Sequence, residues 1–390
     1  GFPMKANPSC AAVFDRIDAL NDDYIRIWAD ICRIESPTEY KAGVDAVGRY
    51  LIEKAEARGW TVEVQPQPVS GDCVCITMNP DAPGAPICFS GHMDTVHPVG
   101  SFGEEPVTFD ENRIYGPGVG DCKGGIAASF LAMAALEDCG FAARPVKLIL
   151  QSDEENSSRW SNKTTVEFMC EKAKGSALVF NTEPCGDYSK TTIGRKGIMR
   201  FRLTVTGKAE HGSQPQKGIN AICEAAHKII ALEKWKEPHG ITMNCGLING
   251  GTAENTVPAS CTFTVDVRFK TPEQMAVAEA YVRDTAAHCY LAGTTCEVEL
   301  ASSRSPMEIT DFNKEALARV SAIYEANGFD PIEGGFANGG SDAAYFTAAG
   351  IPCIDSVGVV CQNIHSINEN AELASLALCA KHLAAAAWCY

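Results

Sequence analysis

The sequence predicts an α/β protein in which a layered larger domain carries a smaller βαββαβ insertion. Three observations lead there. Over roughly the first 190 residues, short aliphatic runs alternate with segments of helical periodicity. From about Ile198 the runs lengthen and alternate apolar with polar residues, the style of strands with one covered face. Beyond about residue 305 the helical style returns.

In chain order, "NDDYIRIWADICRI" and "AVGRYLIEKAEARG" read as amphipathic helices. "PICFS", "VKLILQS" and "ALVFNTEP" are apolar on both sides, as parallel strands covered by helices should be. Between the first two lies "GGIAASFLAMAALEDCG", a helix with a glycine stop at Gly140. This alternation defines an α/β layered domain. The strand "IMRFRLTVTG" then leads to the helix "GINAICEAAHKIIALEKWKE" and the strands "ITMNCGLING" and "CTFTVDVRF". The helix "TPEQMAVAEAYVRDTAAHCYLAG" and the strand "CEVEL" complete a split-βαβ, or ferredoxin-like, order. It spans 197–305, leaving 1–196 and 306–390 as two parts of the larger domain. The second part holds the helices "NKEALARVSAIYEANG" and "AELASLALCAKHLAAAAW" with the short strand "PCIDSVG" between them.

A chain of 390 residues, 45% hydrophobic and 21% charged, is ordinary globular composition, enough for one large and one smaller domain. A net charge of −16 without a basic cluster argues against a phosphate-tracking surface and hence against nucleic acid. No apolar run approaches the roughly 20 residues of a membrane helix, and no signal-peptide core precedes the first domain. The expected location is the cytoplasm. The 18 cysteines are scattered with no CxxC pair, so most of them read as reduced, buried small apolar residues.

In an open α/β sheet a site is expected in the loops at the carboxyl ends of strands. His92 and Asp94 follow "PICFS", Glu154 and Glu155 follow "VKLILQS", Glu183 closes "ALVFNTEP", and His365 follows the last strand. The glycines of "YGPGVGDCKGGIAA" surround Asp121. Each alone has an ordinary reading: a structural histidine, a solvated acidic run, a turn aspartate. Together they would converge in one crevice, where unpaired carboxylates repel unless they are protonated or bound to cations. His92, Asp121, Glu155, Glu183 and His365 carry a formal charge of about −3 against about +4 for two divalent ions, and one hydroxide would complete neutrality. Nitrogen and oxygen donors without thiolate suit zinc, with cobalt or manganese as alternatives; Cys122 is expected to pack. His92 and Asp94, two apart in an extended chain, point to the same side and can touch.

The spaced set "SGHMDTVHP", "YGPGVGDCKGG", "DEENSS", "NTEP" and "GGSDAAYF…GIPCIDSVG…NIHSINEN" resembles the motifs of the dinuclear-zinc exopeptidase and deacylase family. That family includes glutamate carboxypeptidase, aminoacylase, acetylornithine deacetylase, succinyl-diaminopimelate desuccinylase and peptidase T. The likeness runs from about residue 20 to the C-terminus and is strongest to glutamate carboxypeptidase. It implies a layered zinc-exopeptidase catalytic domain whose ferredoxin-like insertion serves as a dimerisation or lid domain.

The resemblance further implies that His92 and Glu183 hold one metal, Glu155 and His365 the other, with Asp121 bridging. Asp94 would hydrogen-bond the far nitrogen of His92 and orient it. Glu154 would be the general base, taking a proton from the attacking water and returning it to the leaving amine, help worth about 10²–10⁴ in rate. His211, in "GKAEHGSQPQKGINAI", falls where the family has a histidine that helps stabilise the tetrahedral oxyanion, from a partner subunit; this implies a homodimer. Asn255 and Arg268 match positions that bind the substrate's terminal carboxylate, and Arg304 a further one, as guanidinium forks suit. Gly339, Gly340 and Ser341 would form a backbone wall beside the ligand pocket. The chain departs from the family pattern at Cys122, where some members have a second aspartate, and at Asn370, where an aromatic is common. Neither touches an implied ligand, so both bear on substrate preference.

The expected function is metal-dependent hydrolysis of the amide next to a free carboxylate in a small peptide or N-acyl amino acid, as in a glutamate-carboxypeptidase-like exopeptidase. The alternatives are an aminoacylase or an acetylornithine or succinyl-diaminopimelate type of deacylase. An alternative of another class is a non-catalytic amino-acid-binding protein, against which the intact Glu154 speaks.

Overall fold

The computed structural model describes residues 8–390, so residues 1–7 of the first expected domain segment lie outside the described residues. The chain forms two compact units. One comprises the chain up to Gly194 with Ile309–Phe336 and Ser341–Tyr390; the other comprises Arg195–Glu308 with Ala337–Gly340. The second unit therefore extends slightly past 197 and 305 and takes in a short return segment that periodicity does not mark.

An eight-stranded sheet organises the first unit, in the order Thr61–Gln65, Cys73–Met78, Val146–Gln151, Ile87–His92, Leu178–Asn181, Cys353–Asp355, Lys190–Arg195, Glu333–Ala337. Its four central strands, Val146–Gln151 to Cys353–Asp355, run parallel, and their outer neighbours are antiparallel to them. All of Ile87–His92 and Leu178–Asn181 is buried, which is why these strands show no alternation. The register sets His92 opposite Gln151 and Ser90 opposite Asn181. The loops bearing Asp94, Glu154, Glu155 and Glu183 thus leave the sheet along one edge.

The helix Lys123–Asp138 is apolar around its whole circumference, and every residue from Lys123 to Leu136 is buried. It packs against the sheet and the helices Pro8–Arg33 and Ala374–Cys389. It ends at Gly140, with φ +76°, whose N–H reaches the Glu137 oxygen at 2.9 Å while that of Phe141 reaches Leu136 at 3.0 Å. This is the left-handed cap that the glycine stop implies. At its other end a Cβ on Gly125 would lie 2.2 Å from the Thr182 oxygen. Only glycine lets the helix start approach the strand end that carries Glu183. Trp28, fully buried, donates from Nε1 to the Val119 oxygen at 2.9 Å and holds the loop before Asp121.

A smaller sheet joins Cys361–Gln362, Asn370–Glu372, Arg113–Tyr115 and Thr108–Phe109. His365 lies in the turn of this sheet rather than at an end of the large one, where the sequence put it. Strands of two or three residues are too short to show a period.

The second unit is a four-stranded antiparallel sheet ordered Thr242–Gly250, Ser260–Phe269, Gly197–Thr206, Thr295–Arg304. With the helices Ala221–Glu233 and Pro272–Ala287 it has the βαββαβ order of a ferredoxin-like fold. Met199, Phe201, Leu203 and Val205 alternate inward from one strand and Cys261, Phe263, Val265, Val267 and Phe269 from its neighbour. Asn220 and Thr271 cap the two helices, accepting from the amides of Cys223 and Gln274. Among the described residues no helix is long and apolar enough to cross a membrane.

Candidate dinuclear metal centre

His92 ends its strand, and Asp94 follows two residues on; both are buried. His92 Nδ1 lies 2.8 Å from the backbone oxygen of Asp94, which can only accept, so Nδ1 carries a proton and Nε2 is the nitrogen that faces the carboxylates. The Asp94 carboxylate stands further off, Oδ1 at 3.4 Å, so the backbone makes the closer orienting contact. That carboxylate has other work: it accepts from Thr38 Oγ1 at 2.7 Å and from the amides of Glu154 and Glu155 at 3.1 and 2.9 Å. It thereby anchors the 3-10 turn Glu154–Asn156, which sequence reasoning did not foresee.

Asp121 sits just before the helix Lys123–Asp138, and its two oxygens face different histidines. Oδ1 is 2.9 Å from His92 Nε2 and Oδ2 is 2.9 Å from His365 Nε2. Glu183 Oε1 and Glu154 Oε2 lie 3.2 and 3.5 Å from His92 Nε2, and Glu155 Oε2 lies 3.5 Å from His365 Nε2. Nitrogen and oxygen donors therefore gather on both sides of one carboxylate.

Burial pushes the Glu155 carboxyl well above its usual range, and Asp121 and Glu154 add to this. Burial does the same to Glu183, partly offset by His92. Burial also opposes a charge on His92, yet the Glu183 and Glu154 carboxylates hold it well above its ordinary value. Hydrogen bonds to Asp121 and Glu155 bring half-exposed His365 up to about 11. Burial would raise Asp121, but its bonds to His365 and His92 hold it well below the usual carboxylate range.

Such crowding calls for positive charge. Among the described residues Glu155 Oε1 is buried with no hydrogen-bond partner, and ligand atoms of His92, Asp121 and Glu155 lie within 4.8 Å of one another. His92, Asp121, Glu155, Glu183 and His365 would hold divalent cations by the nitrogen and oxygen donors they offer. Cys122 also lies within reach of His92 and Glu183. Its thiol, however, donates to the Thr182 oxygen at 3.2 Å and is pushed well up by burial, so it packs.

The other residues singled out in the sequence fall elsewhere. His211, exposed in the second unit, pairs in register with Thr256, and Ser213 lies 2.7 Å from its Nδ1. Asn255 is beside it, accepting from the Gly212 amide at 2.7 Å. Arg268 donates from Nε to Asp266 Oδ1 at 2.7 Å and from Nη1 to the Asn338 oxygen at 3.5 Å. Buried Arg304 lies against Gly340, where a Cβ would come within 2.4 Å of its Cδ. Arg195, which the sequence did not mark, donates to the Gly339 oxygen at 3.0 Å. Three arginines thus meet the segment 338–340 of the same unit. Ser341 belongs to the first unit, buried, with its hydroxyl donating to Asp355.

The fold and this cluster are those of a metal-dependent hydrolase. The pattern of peptidase family M20/M25/M40 matches residues 88–388, and the chain belongs to that family. It is 27% identical over 349 residues to carboxypeptidase G2 of Pseudomonas sp. (strain RS-16), covering 88% of this chain and 83% of that protein. It is 27% identical over 368 residues to succinyl-diaminopimelate desuccinylase of Wolinella succinogenes, covering 90% and 94%. Among solved structures, aminopeptidase PepT from Bacillus cereus is similar with a TM-score of 0.78 and 21% identity, over 94% of this chain and 98% of that one. The chain is thus an enzyme of a peptidase and deacylase family.

Proposed function

We propose that the protein is a two-metal exopeptidase that cleaves the amide next to a free carboxylate, in the manner of a glutamate carboxypeptidase. The observation that carries the reading is Asp121, with each oxygen 2.9 Å from a different histidine Nε2. His92 and Glu183 would hold one cation and Glu155 and His365 the other, zinc by donor type and cobalt or manganese by substitution. Bound there, such cations supply Lewis acidity toward the scissile carbonyl and toward water. Glu154, buried beside His92, takes the proton of the attacking water and hands it to the departing amine. Asp94 holds the turn that carries this base. Arg268 and Arg304, with Asn255 and the backbone of Gly339, Gly340 and Ser341, are assigned to the substrate, and His211 to the oxyanion. The three arginines around 338–340 support a carboxylate-bearing substrate.

A deacylase of N-acyl amino acids is the second reading, favoured by equal 27% identities to the carboxypeptidase and the desuccinylase. Hydrolysis of N-acyl glutamates, dipeptides and N-succinyl amines, with and without a chelator, separates the two. Binding without cleavage by fully metal-loaded protein would overturn both. A homodimer through the second unit is supported by exposed Leu247 and Ile248 on the edge strand Thr242–Gly250 and by Ile230 on the adjacent helix. Eighteen unbridged cysteines suit a reducing cytoplasm.

A further inference from the structure

Glu369 takes no part in the scheme above, yet it is almost wholly buried among the loops that carry the candidate ligands. Its Oε2 accepts from the amides of Gly120 and Asp121, both at 3.0 Å. Its Oε1 receives His97 Nε2 at 2.7 Å. Its backbone oxygen accepts from the Gly116 amide at 3.2 Å. His97 is itself buried, set edge-on against Phe102, with its amide 3.3 Å from Thr95 Oγ1.

One carboxylate therefore ties three segments together. His97 lies five residues after His92, Gly120 and Asp121 form the second segment, and Glu369 lies four residues after His365. We propose that Glu369, held by His97, is a positioning residue that fixes the backbone of Asp121 so that its two oxygens face His92 and His365. This rests on the two-metal reading of the site. The bond is to the amide of Asp121 itself, so a shift of that amide moves both carboxylate oxygens away from their histidines. The chemistry demands a carboxylate: three donors converge on its two oxygens. An amide in its place would turn an N–H toward one of those donors. Partners of this kind, behind the ligands, typically change metal affinity by about 10–100-fold when removed.

The test is titration of the metal-free protein with Co²⁺, read by visible absorption, for wild type, Glu369→Gln, Glu369→Ala and His97→Gln. The wild type should take up two ions per chain. Glu369→Gln and His97→Gln should bind about tenfold or more weakly with displaced absorption bands, and Glu369→Ala should bind more weakly still. In zinc-loaded protein the two Gln variants should lower kcat and leave KM unchanged. If Glu369→Ala does not fold, the other two variants decide. Wild-type affinity and spectrum in folded Glu369→Gln and His97→Gln would overturn the positioning role. Failure of the wild type to take up two ions would instead overturn the two-metal reading.

Discussion

The Asp94 carboxylate accepts the backbone N–H of Glu155 at 2.9 Å, so a residue two places after one candidate ligand fixes the chain of another. The same carboxylate takes the Glu154 amide and the Thr38 hydroxyl. Asp94→Ala leaves these donors buried without an acceptor, at roughly 1–3 kcal/mol for each orphaned group. The expected result is a lower unfolding midpoint together with fewer than two metals retained, measured by calorimetry and elemental analysis. Asp94→Asn, keeping one oxygen, should fall between.

Glu154 and Glu155 are neighbours with separate tasks. Glu154→Ala should keep both metals and lose about 10²–10⁴ in kcat, the usual worth of a general base. Glu155→Ala should lose metal before anything else. Metal analysis beside turnover distinguishes them; equal metal loss in both would refute the division.

Gly125 admits no side chain. Its added Cβ would meet the Thr182 oxygen at 2.2 Å, and Thr182 precedes Glu183. Gly125→Ala should destabilise by about 1–3 kcal/mol, the ordinary cost of overpacking, and should weaken metal retention as well. Denaturant unfolding with metal titration checks both.

Arg268→Ala should raise KM about 10–100-fold for substrates ending in a carboxylate, the worth of a hydrogen bond to a charged group. It should leave KM for the corresponding carboxamides nearly unchanged. Steady-state kinetics on matched pairs supplies the answer.

His382 contributes to acid stability. Burial among Tyr188, Tyr324 and Phe329 lowers its pKa from 6.5 to about 4. The unfolded chain therefore binds this proton more readily than the native one. Stability is full above about pH 6.5 and falls as the pH drops toward 4, by about 2 kcal/mol between pH 7 and 5 from this group alone. His382→Phe should flatten that part of the stability–pH curve, measured by urea unfolding at several pH values.

Much of this was legible beforehand, for physical reasons. Two-sided burial erases alternation, so "PICFS" and "ALVFN" betray a parallel sheet, and such a sheet delivers His92 and Glu183 to one edge. Period-two burial in Gly197–Thr206 and Ser260–Phe269 marks the other unit equally well. What stayed hidden depends on contacts between distant segments. Asp94 bonding the amides of Glu154 and Glu155 leaves no trace in spacing, nor does the pairing of Arg268 with Asp266. Arg195 is one arginine among many until its contact with Gly339 is seen. The short strands around His365 have no period to read.

The order in which the first unit receives its strands has a consequence for synthesis. Leu178–Asn181 pairs with Cys353–Asp355, more than 170 residues downstream, while Arg195–Glu308 is a continuous stretch with a core of its own. On the ribosome the intervening unit can mature while Leu178–Asn181, buried throughout in the finished fold, waits as an uncovered and mostly apolar edge. Such edges invite pairing with other nascent chains. Arrested translation before residue 353 should therefore yield an aggregation-prone, chaperone-dependent product, and the segment that carries Cys353–Asp355 and His365 decides whether an enzyme exists at all.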